Sequence, residues 1–365
     1  RGKNMKMRKI VCSFMISVVC FMTAISGVSA TSYDTSKINA AYSKVVEYYK
    51  NNNNLNNADK ILAVESLGLE AESNQFDTSS ADLSSTSLSK KIVTEVLLGV
   101  DPTEDKKTLE SQIDENGNVE GSWGASSDVW TLYALYVTSS EKTNLIANKL
   151  NDELAASSVC GYEWGGTYYA DYDTTGWVIE GLAVVNKEKY ATTINKAIDY
   201  IKNNTTMTTT GWVTADNVDT QSQVLEGMFA YDTNALLNDS YTVHPVDCLL
   251  NTQLSDGSFP SGYNAEYTTA EVAKTLGTYK NGSVIIKAKK AYDKMMNPEQ
   301  PDNTKPAQPT DTKKDSQSTN KVETTNQKTT SVKTGDETNV VIFVSLSMVS
   351  GGLFLVLRKE YERVH

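Results

Sequence analysis

Four times along this chain a Gly/aromatic turn leads into a helical segment with one apolar pattern: SSDVWTLYAL at 126–135, DTTGWVIEGL at 173–182, DTQSQVLEGM at 219–228 and YTTAEVAKTL at 267–276. Their first residues lie 47, 46 and 48 apart. A period of that length marks an array of like supersecondary units, none of which can bury its apolar face alone. Two further segments of the same kind precede the regular four, ADKILAVESL at 58–67 and SLSKKIVTEVLL at 87–98. Gly99 to Pro102 closes the second, because proline cannot continue a helix.

Between these segments, 38–50, 142–156, 189–202 and 245–253 read as amphipathic helices with one polar face. The repeat segments are richer in Ala, Gly and apolar residues, as helices covered on both sides should be. The reading is six inner helices joined by outer ones, with the Ser-rich stretch 73–89 replacing a regular outer helix. The expected fold is all-α, with six helical hairpins closed into an (α/α)6 toroid, a double-walled helical barrel, over residues 33–296. The eighth repeat position holds Glu180, Glu226 and Lys274. Parallel inner helices then make Glu226 and Lys274 neighbours able to pair.

The ends differ from the array. Residues 1–30 carry Arg1, Lys3, Lys6, Arg8 and Lys9, then an apolar run over 10–25 and the small-residue site Val28-Ser29-Ala30. That is the layout of a secretory signal peptide, with Met5 or Met7 as the expected initiator. Its removal takes five cations from a chain of net charge −11 and leaves −16, a charge that nucleic acid and anionic lipid repel; no nucleic-acid partner is expected. Residues 297–335 are Pro, Thr, Lys, Asp, Gln and Ser with almost no apolar content. They read as a disordered stalk, reaching roughly 35 Å as a random coil. A transmembrane anchor is expected over 338–358, where 340–357 gives 18 uncharged residues. Arg358-Lys359 then directs the tail 359–365 to the cytoplasm. Cys12 and Cys20 lie in the signal segment, leaving Cys160 and Cys248 as one disulfide or two thiols.

Gln253-Leu254-Ser255-Asp256-Gly257-Ser258-Phe259 resembles the Gln-x-x-Asp-Gly-x-Trp turn of the terpenoid cyclase and protein prenyltransferase superfamily. Gly121-Ser122-Trp123-Gly124 and Gly211-Trp212 are degenerate versions of it. The order of elements, including 83–103, is similar to that of bacterial surface proteins carrying prenyltransferase/squalene-oxidase-type repeats. The resemblance covers about residues 37–293 and implies a toroid rather than an open solenoid. Ser331-Val332-Lys333-Thr334-Gly335-Asp336 is similar to the Leu-Pro-x-Thr-Gly sorting signal of Gram-positive wall proteins. Thr334 and Gly335 match the residues flanking the cleaved bond, while Ser331 and Val332 replace Leu and Pro. This implies a sortase partner and a place on the extracellular face of a Gram-positive-type envelope, anchored to membrane or wall.

Individual residues weigh against inherited chemistry. Asp171-Tyr172-Asp173-Thr174-Thr175 resembles the Asp-x-Asp-Asp-Thr motif of class II terpene cyclases, with Asp173 at the proton-donating position and Thr174 in place of the third acid. Asp173 and Asp219 nevertheless share one repeat position before a Thr, as recurring helix N-caps do. His244-Pro245-Val246-Asp247-Cys248 holds the residue types of the prenyltransferase zinc site, but at the start of an outer helix and without the family's Asp-x-Cys spacing. Cys160-Gly161-Tyr162-Glu163 departs from the Cys-Gly-Glu-Gln of thioester domains in similar toroids. No metal, cofactor or catalytic residue is expected. The leading expectation is a recognition protein that takes a small molecule, envelope component or protein partner at the barrel mouth. Its candidate ligand residues are Trp164, Tyr168, Tyr169 and Asp171 on the Gly/Tyr-rich approach, with Trp177, Trp212 and Phe259. The alternatives are a cyclase-like enzyme using Asp173 with Asp171, and a spacer whose barrel is packed shut.

Overall fold

The computed structural model describes residues 33–72, 84–206, 217–262 and 264–297, all within one compact unit. The expected signal segment, residues 298–335 of the expected stalk and the expected anchor, with Trp212, Thr334 and Gly335, lie outside the described residues. Among the described residues the protein is mostly helical: α1 (Ser36–Asn51), α2 (Ala58–Ser66), α3 (Ser85–Leu97), α4 (Thr103–Ser111), α5 (Ala125–Val137), α6 (Thr143–Ser157), α7 (Tyr172–Asn204), α8 (Val218–Asn238), α9 (Pro245–Leu250), α10 (Ala265–Asn281) and α11 (Val284–Met296). One antiparallel hairpin, β1 (Gly161–Trp164) and β2 (Thr167–Ala170), interrupts them. No described helix is long and apolar enough to cross a membrane.

The two helix classes read from the sequence separate by burial. Only Ser126 and Tyr136 of α5 escape burial, whereas α1 buries one stripe, Ile38, Ala41, Val45 and Tyr49. The helices α7 and α8 each join an inner half to an outer half through a single extended residue, Asn186 and Asp232. Each of these residues caps the half that follows. Asn186 Oδ1 accepts from Lys189 N at 2.9 Å, and Asp232 Oδ1 from Ala235 N at 2.9 Å. A short polar side chain thus satisfies the N–H groups exposed where the chain turns. Inner helices touch in chain order, α2 to α3, α3 to α5, α5 to α7, α7 to α8 and α8 to α10, and α10 packs on α2.

Small residues set how closely these helices approach. A Cβ added at Gly176 falls 2.5 Å from the carbonyl oxygen of Gln223, and one at Gly227 falls 2.3 Å from that of Gly176. Where the partner is Ser or Thr, its hydroxyl bonds the neighbouring backbone: Thr275 Oγ1 donates to Ser222 O at 2.8 Å and Ser66 Oγ to Ala273 O at 3.3 Å. The eighth-position register holds as well, since Lys274 Nζ lies 3.9 Å from Glu226 Oε2. That pair is fully buried, not a surface ion pair.

Two helices were not anticipated, α4 and α11. The second matters more, because it packs against α2, α3, α5 and α10. Its N-cap Ser283 donates to Glu180 Oε1 at 2.6 Å, and its Lys287 Nζ lies 2.6 Å from Glu65 Oε2.

Gly176→Ala and Gly227→Ala each force a side-chain carbon into a neighbouring backbone. The expected loss is about 1–3 kcal/mol of unfolding free energy, exceeding the gain in helix propensity of up to about 1 kcal/mol. Urea unfolding of each variant measures it; unchanged midpoints would refute the close approach.

Candidate functional site

Residues spaced three and four apart share a helix face. On α7 this face carries Asp173, Trp177 and Glu180; on α8, Thr220, Gln223 and Glu226; on α10, Tyr267, Glu271 and Lys274. The three stripes meet. Asp173 is hydrogen-bonded to Thr220, and Gln223 Nε2 donates to Tyr267 Oη at 3.2 Å and Glu271 Oε2 at 3.1 Å. Lys274 Nζ lies 3.0 Å from Glu271 Oε2. The remaining inner helices join them: Trp130 of α5 stands edge-on to Trp177 at 5.8 Å, and Tyr133 donates to Glu180 Oε2 at 3.0 Å. Lys90 of α3 sits 4.5 Å over the Trp130 ring and 2.9 Å from Asp59 of α2.

Burial is graded along the stripes. Asp173, Trp177, Thr220 and Tyr267, with Asp59 and Lys90, are half-buried. The residues farther along, Glu180, Glu226, Glu271 and Lys274, are buried. Asp173 keeps some open surface, and burial by the surrounding protein still dominates its electrostatics. We call the half-buried level near the N-terminal ends of the inner helices, above this buried charged layer, the basin.

The electrostatics divide the carboxylates. Burial, then the nearby Asp171 carboxylate, push Asp173 well above the usual carboxylate range, and the Thr220 hydrogen bond opposes them only in part. Glu226 is likewise raised well above that range by burial, reinforced by Glu180 and Glu271, with Lys274 opposing. Asp59 goes the other way: burial raises it, but Lys90 and Lys274 outweigh burial and hold it low. Burial alone would lower the Lys274 ammonium, yet Glu271, Glu226 and Asp59 hold it above its ordinary value. Glu180, raised by burial, is steadied by hydroxyls, from Ser283 on one oxygen and Tyr133 on the other.

The sequence candidates fall into three places. Trp177 lines the basin. Trp164 and Tyr168 stand on the hairpin, 41% and 43% exposed, where Trp164 meets Trp123 at 5.4 Å and Tyr168 donates to Glu153 Oε1 at 3.0 Å. Tyr169 is half-buried and stacks on Tyr162 at 5.5 Å. Phe259 is fully buried, its backbone N bonded to Thr269 Oγ1 at 3.0 Å, so it acts in packing rather than on a binding surface. The Gly/Tyr-rich approach is therefore not an open flexible loop. Gly165 and Gly166 both take positive φ, the turn that matches the twist of two strands. A Gly-Gly pair flanked by alternating aromatics was the overlooked signal.

The capping role also moves. Asp171, not Asp173, caps α7, accepting from Asp173 N at 3.2 Å and Thr174 N at 3.0 Å. The α8 cap position is Asn217, and Asp219 is buried in the first turn. The recurrence of Asp173 and Asp219 therefore does not mark a shared cap. The basin partners Trp130, Gln223, Tyr267 and Glu271 escaped sequence reading because they look like ordinary helix residues. His244 caps α9 through Nδ1, accepting from Val246 N at 3.3 Å, and packs at a tilt against the Tyr33 ring at 4.3 Å. No group of three or more metal-binding side chains occurs among the described residues. Cys160 and Cys248 are thiols, not a disulfide.

Two outcomes follow from the charges. Replacing Lys274 with Met strands Glu226 and Glu271 without their cation and lowers stability at neutral pH by about 3–5 kcal/mol, measurable by urea unfolding. Asp173 has a folded pKa above its unfolded value, so its contribution is fully present below the unfolded value and is lost as pH rises through the folded one. Asp173→Asn removes that loss. The variant should gain stability over the parent as pH rises above about 4, by at most about 1.4 kcal/mol per pH unit; a pH-independent difference in thermal unfolding refutes this.

No protein-family model matches the chain, and neither the curated proteins nor the solved structures yield a significant match.

Proposed function

We propose that this chain is an exported recognition protein whose helical unit is an (α/α)6 toroid of the terpenoid cyclase/prenyltransferase type, tethered outside the cell by the stalk and anchor. Contacts that run from α2 through the inner helices to α10 and back to α2 support the closed ring. The observation that carries the binding role is the basin itself, to which all six inner helices contribute side chains. Its wall, Trp177, Tyr267 and Asp173, is half-buried. A spacer has no need of such a wall, although the packed floor resembles one. Preformed concave sites between helices, lined by aromatics and a few polar groups, are where small molecules bind. The hairpin runs directly into α7, since Asp171, the residue after β2, caps that helix. Its exposed Trp123 and Trp164 offer a flanking surface for a larger envelope component.

A second reading, acid catalysis on an isoprenoid, gains from Asp173 being surrounded, raised in pKa and not the cap. The floor opposes it. A carbocation chain needs an apolar cavity, whereas Glu226, Glu271 and Lys274 lie one and two turns below the rim.

A thermal-shift screen of small molecules, including isoprenoids, on the full-length chain tests the assignment. A ligand at a hundred times its Kd adds about 2.7 kcal/mol. The expected hit perturbs tryptophan fluorescence, and its shift is lost in Trp177→Ala and kept in Trp164→Ala. A blank screen, or hits indifferent to Trp177, sinks the basin. An isoprenoid converted to product, with conversion lost in Asp173→Asn, favours the enzyme.

A further inference from the structure

Resting on the surface role given above to Trp123 and Trp164, and on no feature of the basin, we propose that one face of the β1–β2 hairpin, together with Trp123, is a binding site for a neutral saccharide, with a pyranose ring laid on the Trp123–Trp164 pair and its hydroxyls met by Tyr162 and Thr167.

Exposure and strand register are the first ground. Among the described residues the only exposed aromatic side chains are Trp123, Trp164 and Tyr168, and all of them stand here. Residues opposite one another in an antiparallel pair share a face. Tyr162, Tyr169, Trp164 and Thr167 therefore lie on one face, the front, and Glu163 with Tyr168 on the back. The back is fastened to α6, where Tyr168 donates to Glu153 Oε1 at 3.0 Å. The front gathers rings in two pairs. Tyr162 and Tyr169 stack at 5.5 Å, and Trp164 meets Trp123 at 5.4 Å with the ring planes 43° apart.

Trp123 comes from the turn before α5, and the main chain fixes it there. Glu163 N donates to Trp123 O at 3.0 Å. Gly124, at positive φ, lies so near β1 that a Cβ on it would stand 3.4 Å from Tyr162 Cα. The rings are thus placed before any ligand arrives, which lowers the ordering cost of binding. Even so, Trp123 and Trp164 stay 43% and 41% exposed. Scattered exposed rings are ordinary, but rings gathered on one face and left open to water point to a partner.

Charge and composition select that partner. The segments that build the site, 108–141 and 150–186, contain no Lys or Arg, so they offer no cation to a phosphate, a carboxylate or an anionic lipid headgroup. Carboxylates on the same elements are engaged elsewhere: Asp171 accepts the first N–H groups of α7, Asp128 pairs with Lys149 at 2.9 Å, and Glu153 takes the Tyr168 hydroxyl. Glu163 is on the back face. The other exposed large apolar side chains, Val243, Leu254, Ile286 and Met296, all belong to other segments. A bilayer or a protein interface takes aliphatic surface as well as rings, and this face has rings alone. What fits is a molecule with a flat face of C–H groups and an edge of hydroxyls. The polarised C–H groups of a pyranose suit the negative face of an indole, and Tyr162 and Thr167 bring hydroxyls to the same side.

The probes are two neutral tetramers, cellotetraose and tetra-N-acetylchitotetraose, added to the full-length chain and read by calorimetry and tryptophan fluorescence. The cationic glucosamine tetramer, the anionic galacturonate tetramer and phosphatidylcholine vesicles are compared. At least one neutral tetramer is expected to bind more tightly than either charged one, with a blue shift of the tryptophan emission. Trp123→Ala and Trp164→Ala, surface changes whose folding thermal melts verify, are each expected to weaken it by about threefold to tenfold, as loss of one ring contact does. Trp164→Phe, which keeps a ring, weakens it less. No binding of either neutral tetramer at millimolar concentration overturns the inference. Binding indifferent to both alanine changes does so too, as does a charged tetramer that binds as tightly as the neutral ones. Vesicles that bind through the same tryptophans where the sugars do not would make the face a lipid site. Sugar binding lost in Trp177→Ala and kept in Trp123→Ala moves the ligand to the basin, so the hairpin site falls while the basin stands. A blank small-molecule screen with saccharide binding intact sinks the basin and leaves this site in place.

Discussion

The close approach of the inner helices, backbone against backbone at Gly176 and Gly227, is the constraint from which the rest of this structure follows. Helices held that near cannot slide past one another without driving a side chain into a carbonyl. Residues at one repeat position are therefore kept at one level. Tyr133, Glu180, Glu226 and Lys274, all at the eighth position, meet in the interior for this reason. The hydroxyls of Ser66, which packs on Gly277, and of Thr275 serve the same contact, bonding the adjacent backbone.

Fixing that level has a cost, because it collects carboxylates in a place that water scarcely reaches. Buried charge persists only where partners compensate it. Lys274 answers Glu226 and Glu271, α11 brings Ser283 to Glu180 and Lys287 to Glu65, and Lys90 answers Asp59. The last helix of the unit is thus an electrostatic part of the interior as well as a packing element. At the rim Asp173 has no such cation among its described partners, and burial with the Asp171 carboxylate nearby raises its carboxyl instead.

Much of the fold was legible in the chain. Six apolar segments with intervening amphipathic ones give the helices and their two classes, and the eighth-position pairing of Glu226 with Lys274 was readable from register alone. The candidate site was less so. Phe259 and Trp177 are both aromatics next to or within a repeat, yet one is sealed in packing and the other lines the basin. Asp171 and Asp173 are two residues apart, and which of them turns back to cap α7 depends on where β2 ends. The hairpin is hard to see in the chain because its short aromatic strands also fit an approach to a helix.

By itself the sequence determined a helical array with a fixed period, since apolar spacing and turn residues act locally and repeat. Tertiary structure alone decided which carboxylate caps and which faces the basin, that Lys274 is buried among acids, and that α11 reaches Glu180. The cap depends on the hairpin that runs into α7, and the other outcomes on side chains more than forty residues apart arriving at one point, of which local pattern carries no record.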